Sequence, residues 1–204
     1  MSAARHPAPP ERQPATFAFA AENRAAVEAI IARYPKGRQA SAMMPLLDLA
    51  QRQHDNWLPR AAMDHVADLL GVPRMRAYEV ATFYTMYNLA PVGRHHVRVC
   101  TTTPCWLRGS DEIVAACEKA LAVEIGETTR DGKFTLQEVE CLNACVNAPV
   151  VWIGDRFYED LTADRARQIL EALARGETPK AGPQAGRHAS EPVGTTSTLS
   201  EGRK

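Results

Sequence analysis

Four of the five cysteines in this chain of 204 residues fall in two pairs. Cys100 and Cys105 bracket "CTTTPC", and Cys141 and Cys145 bracket "CLNAC". Thiols grouped this way could form a redox pair, a disulfide, part of a core, or a metal site. A thiol–disulfide enzyme fits poorly, because the CxxC spacing that tunes a nucleophilic thiolate is absent. Structural zinc also takes four thiolates, but its pairs commonly sit in tight knuckles separated by about two to four residues. Iron takes thiolates too, and a [2Fe–2S] rhomb is wide enough to use two separated pairs, one for each iron. The spacing therefore favours iron–sulfur chemistry, with zinc and plain core packing as the competing readings.

Such a site requires elements that bring residues 100 and 145 together. After Pro91 the pattern alternates strands and helices: "HHVRVC" reads as a strand ending at Cys100, "SDEIVAACEKALAV" as a helix with Ser110 as N-cap, and "FTLQEVEC" as a strand ending at Cys141. If these three form a right-handed crossover, both strands run parallel and their carboxyl ends share an edge. Cys105 and Cys145 would then lie in the loops just past those ends, where α/β sheets commonly bind ligands. "PVVWIGDRFYEDL" reads as a hairpin turning at Gly154 and Asp155, and "TADRARQILEALARG" as a helix capped by Thr162.

Upstream, residues 17–91 read as a helical bundle. Val27, Ile30, Ile31 and Tyr34 share one stripe; so do Met43, Leu46, Leu47 and Ala50, then Met63, Val66, Ala67 and Leu70, then Tyr78, Ala81 and Tyr84. Pro35, Gly71 and Pro73 punctuate these helices. Residues 1–16, rich in Pro, Ala and Arg, read as a mobile arm, and residues 179–204 as an extended tail without a core of its own. The strand-and-helix region between, 92–178, is the second domain.

Lys plus Arg equals Asp plus Glu at 24 each, which removes the electrostatic drive of a sequence-independent nucleic-acid binder. No apolar run approaches the roughly 20 residues that span a bilayer, and the N-terminus lacks the apolar core of a secretory signal, so direct membrane insertion is not expected. A reducing compartment is the expectation, in which cysteines serve as ligands or reactive groups rather than as disulfides.

An oxidised cluster with four thiolates carries a charge of −2 and needs donors around it. The N–H groups of Thr101 to Thr103 and the amides opening the helix near Ser110 are candidates, with Pro104 and Pro149 stiffening the two loops. Cys117 shares a helical stripe with Ile113 and Leu121 and reads as a small core residue. His95 and His96 open a strand with no ligand role, and Trp106 is either a shield against water or plain packing.

"VCTTTPCWLRGSDEI", "FTLQEVECLNACVNAPVV", "YEDLT", "MPLLDLAQRQHDNWLP" and "YEVATFYTMYNLAPVG" closely resemble the family of 24 kDa subunits of respiratory complex I, the NADH–quinone oxidoreductase. The resemblance spans roughly residues 17–195. It implies an α+β chain, with an N-terminal helical bundle followed by a thioredoxin-like domain that carries one [2Fe–2S] cluster on Cys100, Cys105, Cys141 and Cys145. It also implies an electron-transfer subunit, with no catalytic residue of its own, inside a proton-translocating oxidoreductase. FMN and NADH would be bound by a partner subunit, since no GxGxxG follows a strand here. Further peripheral-arm subunits would complete the complex on the cytoplasmic side of the inner membrane, or on the matrix side in a mitochondrion. Asn143 stands where relatives often have Gly, and Asn tolerates the left-handed backbone angles such a loop requires. Three competitors stand beside this reading: a homologous diaphorase subunit of an NAD-linked hydrogenase or formate dehydrogenase, an independent ferredoxin, and a zinc-stabilised interaction module.

Overall fold

The computed structural model of the chain describes residues 6–191, and the chain divides into two compact units between Val92 and Gly93. Four helices make the first unit: α1 (Arg24–Ala32), α2 (Met43–Gln53), α3 (Arg60–Leu70) and α4 (Arg74–Phe83). Residues spaced three and four apart on each helix bury a stripe, and the stripes meet in one core. Val27 and Ile30, then Met43, Leu46, Leu47 and Ala50, then Met63, Val66 and Ala67 are all buried there. On α4 the buried positions are Ala77 and Ala81, which allow close helix approach, while Tyr84 is exposed. Gly71 ends α3 at φ 63°, and the N–H of Val72 closes back on the carbonyl of Ala67 at 3.1 Å.

Residues 8–13, expected as part of a mobile arm, are instead fixed to this unit. Ala8 is buried and its N–H donates to Leu89 O at 2.9 Å. The Gln13 side chain donates to Ala8 O and accepts from the N–H of Arg60, which opens α3. Residues 1–5 of the expected arm lie outside the described residues.

The second unit is a mixed five-stranded sheet in the order β2-β1-β3-β4-β5. Its strands are β1 (His95–Cys100), β2 (Phe134–Val139), β3 (Val151–Ile153), β4 (Arg156–Glu159) and β5 (Gly182–Pro183). Three helices accompany them: α5 (Thr103–Leu107), α6 (Ser110–Leu121) and α7 (Ala163–Ala174). β1 and β2 are parallel, with His95 opposite Phe134 and Cys100 opposite Val139. β3 returns antiparallel to β1, and β4 to β3 through Gly154 and Asp155. Period-two alternation turns Val97 and Val99 toward Ile113 and Cys117 of α6 and Ile169 and Leu170 of α7. On the opposite face, Arg98 is buried with its guanidinium 4.1 Å over the Trp152 ring.

Both of the longer helices here begin at a cap, though only one uses the residue expected. Thr162 accepts from the N–H of Arg165 at 3.2 Å, so Thr162→Ala should cost about 1 kcal/mol of α7 stability, read as faster hydrogen exchange of its first-turn amides. Gly109, at φ 90°, precedes α6 in place of Ser110, which is the first helical residue with a buried and unpartnered hydroxyl. Among the described residues no helix is long and apolar enough to cross a membrane.

Candidate metal centre

The two strands of the crossover deliver the thiols. Cys100 is the last residue of β1; its N–H donates to Val150 O at 3.1 Å, while the next N–H, from Thr101, donates to Val139 O at 3.3 Å. The strand end is thus pinned on both sides. The chain then turns into α5 with Thr102 as its cap and Pro104 in the first turn, a position that needs no amide hydrogen. Cys105 therefore sits on a short helix rather than in a loop. β2 stops at Val139, two residues short of the expected end, and Cys141 belongs to the loop that follows. Cys145 opens a 3-10 turn, Cys145–Asn147.

The four sulfurs gather beyond the carboxyl edge of β1 and β2 as two pairs. Cys141 Sγ and Cys145 Sγ lie 3.3 Å apart, and Cys105 shares a hydrogen bond with Cys100. Cys100 and Cys105 are buried, packed with Ala148 and Val150, whereas Cys141 and Cys145 are exposed. All five cysteines are free thiols. Cys117 is in the α6 core, as its stripe implies.

Backbone amides surround the sulfurs. Burial disfavours the charged form of Cys100, but the N–H groups of Leu142 and Thr102, the Cys105 thiol and the Thr102 hydroxyl outweigh it and set its pKa below the ordinary thiol value. Cys105 moves up, through burial and its hydrogen bond to Cys100, against an opposing N–H from Val150. Cys145 is raised by its hydrogen bond to Cys141. The N–H of Asn143 donates to Cys141 Sγ at 3.4 Å, and Asn143 adopts φ 61°, the left-handed conformation that a Gly would otherwise supply.

Of the expected donors, Thr102 is present, while the Thr101 N–H is spent on the sheet. Leu142, Asn143 and Val150 escape a reading of the sequence because a backbone donor has no side-chain signature; the left-handed tolerance of Asn143 is the one available signal. Trp106 is 56% exposed, and its ring N–H donates to Asp111 at 3.1 Å.

Among the described residues, no three His, Cys, Asp or Glu side chains converge on a point that would hold a single ion. Two adjacent thiol pairs fringed by amide donors have the chemistry to hold a two-iron cluster, and Cys100, Cys105, Cys141 and Cys145 are the residues that would hold it.

Residues 27–174 match the thioredoxin-like [2Fe–2S] ferredoxin family, and the chain belongs to it. It is 59% identical over 157 residues to the E subunit of the NADH-quinone oxidoreductase of Rickettsia conorii, covering 77% of this chain and 94% of that one. It is 53% identical over 184 residues to the mitochondrial NADH dehydrogenase [ubiquinone] flavoprotein 2 of Dictyostelium discoideum, covering 90% of this chain and 74% of that one. An NAD+-reducing [NiFe]-hydrogenase superposes with a TM-score of 0.54 at 20% identity, over 64% of this chain and 23% of that one, which shows a shared fold and no more.

Proposed function

We propose that the chain is the electron-transfer subunit of an NADH–quinone oxidoreductase, holding a [2Fe–2S] cluster on Cys100, Cys105, Cys141 and Cys145. The observation that carries this reading is the gathering of four free thiols, in two pairs, past the ends of two parallel strands. Bound there, such a cluster would supply one-electron exchange. The protein's part is to hold and dress the thiolates. Cys100 and Cys105, buried against Ala148 and Val150, keep water from one side, and the amides of Thr102, Leu142, Asn143 and Val150 offset negative charge on sulfur. Cys141 and Cys145 form the exposed side, which faces the partner that exchanges electrons. That partner binds FMN and NADH, because the chain has no glycine-rich phosphate cradle of its own. Attachment to the membrane is through partner subunits, on the cytoplasmic or matrix face.

Iron, zinc and acid-labile sulfide, measured per chain after anaerobic purification, test this directly. The expected result is two irons with two sulfides and no zinc. One zinc without sulfide would overturn it. A second reading, a diaphorase subunit of a hydrogenase, is favoured only by the shared fold; the subunits that co-purify with the chain distinguish the two.

A further inference from the structure

We infer that residues 182–191 form a strap that holds the Cys141–Cys145 loop in place, with Arg187 as its positioning residue. The inference rests on reading Cys145 as an iron ligand. The strap is tied down at its start: β5 pairs with β4, the N–H of Gln184 donates to Glu159 O at 3.0 Å, and the Gln184 side chain accepts from Arg165 Nε of α7 at 2.8 Å. It then crosses to the thiol loop. Arg187 grips Asp160 with both arms of its guanidinium, Nε to Oδ2 at 2.8 Å and Nη2 to Oδ1 at 2.5 Å, and each side chain is only 9% exposed. The same Nη2 donates to Val146 O at 2.9 Å, the residue after Cys145. A bidentate pair with a further bond to a main-chain carbonyl fixes direction as well as distance.

A second tie runs beside the first. Asn147, buried, donates through Nδ2 to Ala189 O at 3.2 Å and to the Glu159 carboxylate. The N–H of Asp160 donates to Asn147 O at 2.7 Å, so the residue that receives Arg187 also bonds the thiol loop through its own main chain. The loop is fixed mainly from outside: Cys145 and Val146 are exposed, and its internal bonds are short-range, Asn147 N–H to Ala144 O, Ala148 N–H to Cys145 O, Asn143 N–H to Cys141 Sγ and the Cys141–Cys145 Sγ contact. Without Arg187, the Val146 carbonyl loses its partner and Asp160 its cation. The Cys145 thiol then keeps the 3-10 turn, the Asn147 ties and its contact with Cys141 Sγ, but loses the tie at the residue next to it.

The test uses the full chain as wild type, Arg187→Ala, Arg187→Lys, Asp160→Ala and the double variant. Hydrogen exchange of amides 142–148 is measured on the metal-free chain. Cluster release to a chelator and the EPR line shape after reduction are measured on the loaded chain. Arg187→Ala should speed loop exchange and cluster release by about tenfold and broaden the EPR lines, with α6 amides unchanged; the double variant should be no worse than either single one. Arg187→Lys, which reaches one carboxylate oxygen only, should recover part of the effect. Loop exchange that is unchanged in metal-free Arg187→Ala, or that rises only in step with α6 and α7, would overturn the strap. If the wild type takes up no iron, the ligand reading fails, and exchange in the metal-free chain still decides the strap.

Discussion

Cys141→Ala should give a chain that folds and carries no iron or acid-labile sulfide above background. The thiol pairs explain why a single change suffices. In the proposed site each iron would take two protein thiolates, so losing Cys141 would leave one iron with Cys145 as its sole protein ligand, on the exposed side where water and chelators compete. The fold has little at stake. Cys141 is exposed and lies past the end of β2, so its removal leaves the core intact and should change metal-free stability by less than about 0.5 kcal/mol. The loaded wild type, by contrast, gains stability from whatever binds only its folded form, and the variant forfeits that gain.

Cys117→Ala is the matching opposite. Cys117 is 1% exposed in the core between α6 and the sheet, and deleting its sulfur should cost about 1 kcal/mol through lost burial and a small cavity. Iron and sulfide should remain at the wild-type level. Metal analysis and urea melts of both variants separate the two roles of cysteine in one chain. A full complement of iron in Cys141→Ala would remove it from the ligand set.

What the sequence makes legible follows from what is periodic or local. The alternation around Cys100, the α6 stripe of Ile113 and Cys117, and the Gly154–Asp155 turn are each set by residues within a few positions of one another, and all appear in the structure. Parallel pairing of β1 and β2 follows from the crossover rule, and the shared edge for the thiols follows from that pairing. Sequence and structure part where one residue type serves two local structures. Pro104 reads as a loop stiffener, yet Pro suits the first turn of α5 equally well. Ser110 looks like a cap, but Gly109 takes the left-handed angle that only its type adopts readily. Long-range ties leave no trace at all. Arg187 with Asp160, and the Ala8 amide with Leu89, join residues far apart in sequence, within segments whose composition resembles a tail and an arm.

Gly93→Ala should be among the most destabilising single changes in the second unit, by about 1–3 kcal/mol. The reason is one close approach. A Cβ at position 93 would lie 2.6 Å from the carbonyl carbon of Phe134, 2.8 Å from its nitrogen and 2.9 Å from its Cα, and all three are backbone atoms that no rotamer change can move. The contact falls at the start of the β1–β2 ladder. Gly93 N–H donates to Thr135 Oγ1 at 2.6 Å, and the next two amides, of Arg94 and His95, donate to Gly132 O and Lys133 O at 3.1 and 2.7 Å. To admit a methyl group, the chain must retreat from Phe134, which stretches those bonds just before the first register pair, His95 with Phe134. That register determines where Cys100 ends β1 relative to the loop bearing Cys141. Strain at the opposite end of the strand should therefore also loosen the thiol site, and the urea midpoint of the metal-free chain and its rate of cluster uptake should fall together. A Gly93→Ala chain that melts within about 0.5 kcal/mol of wild type would show that the two strands can part here at no cost.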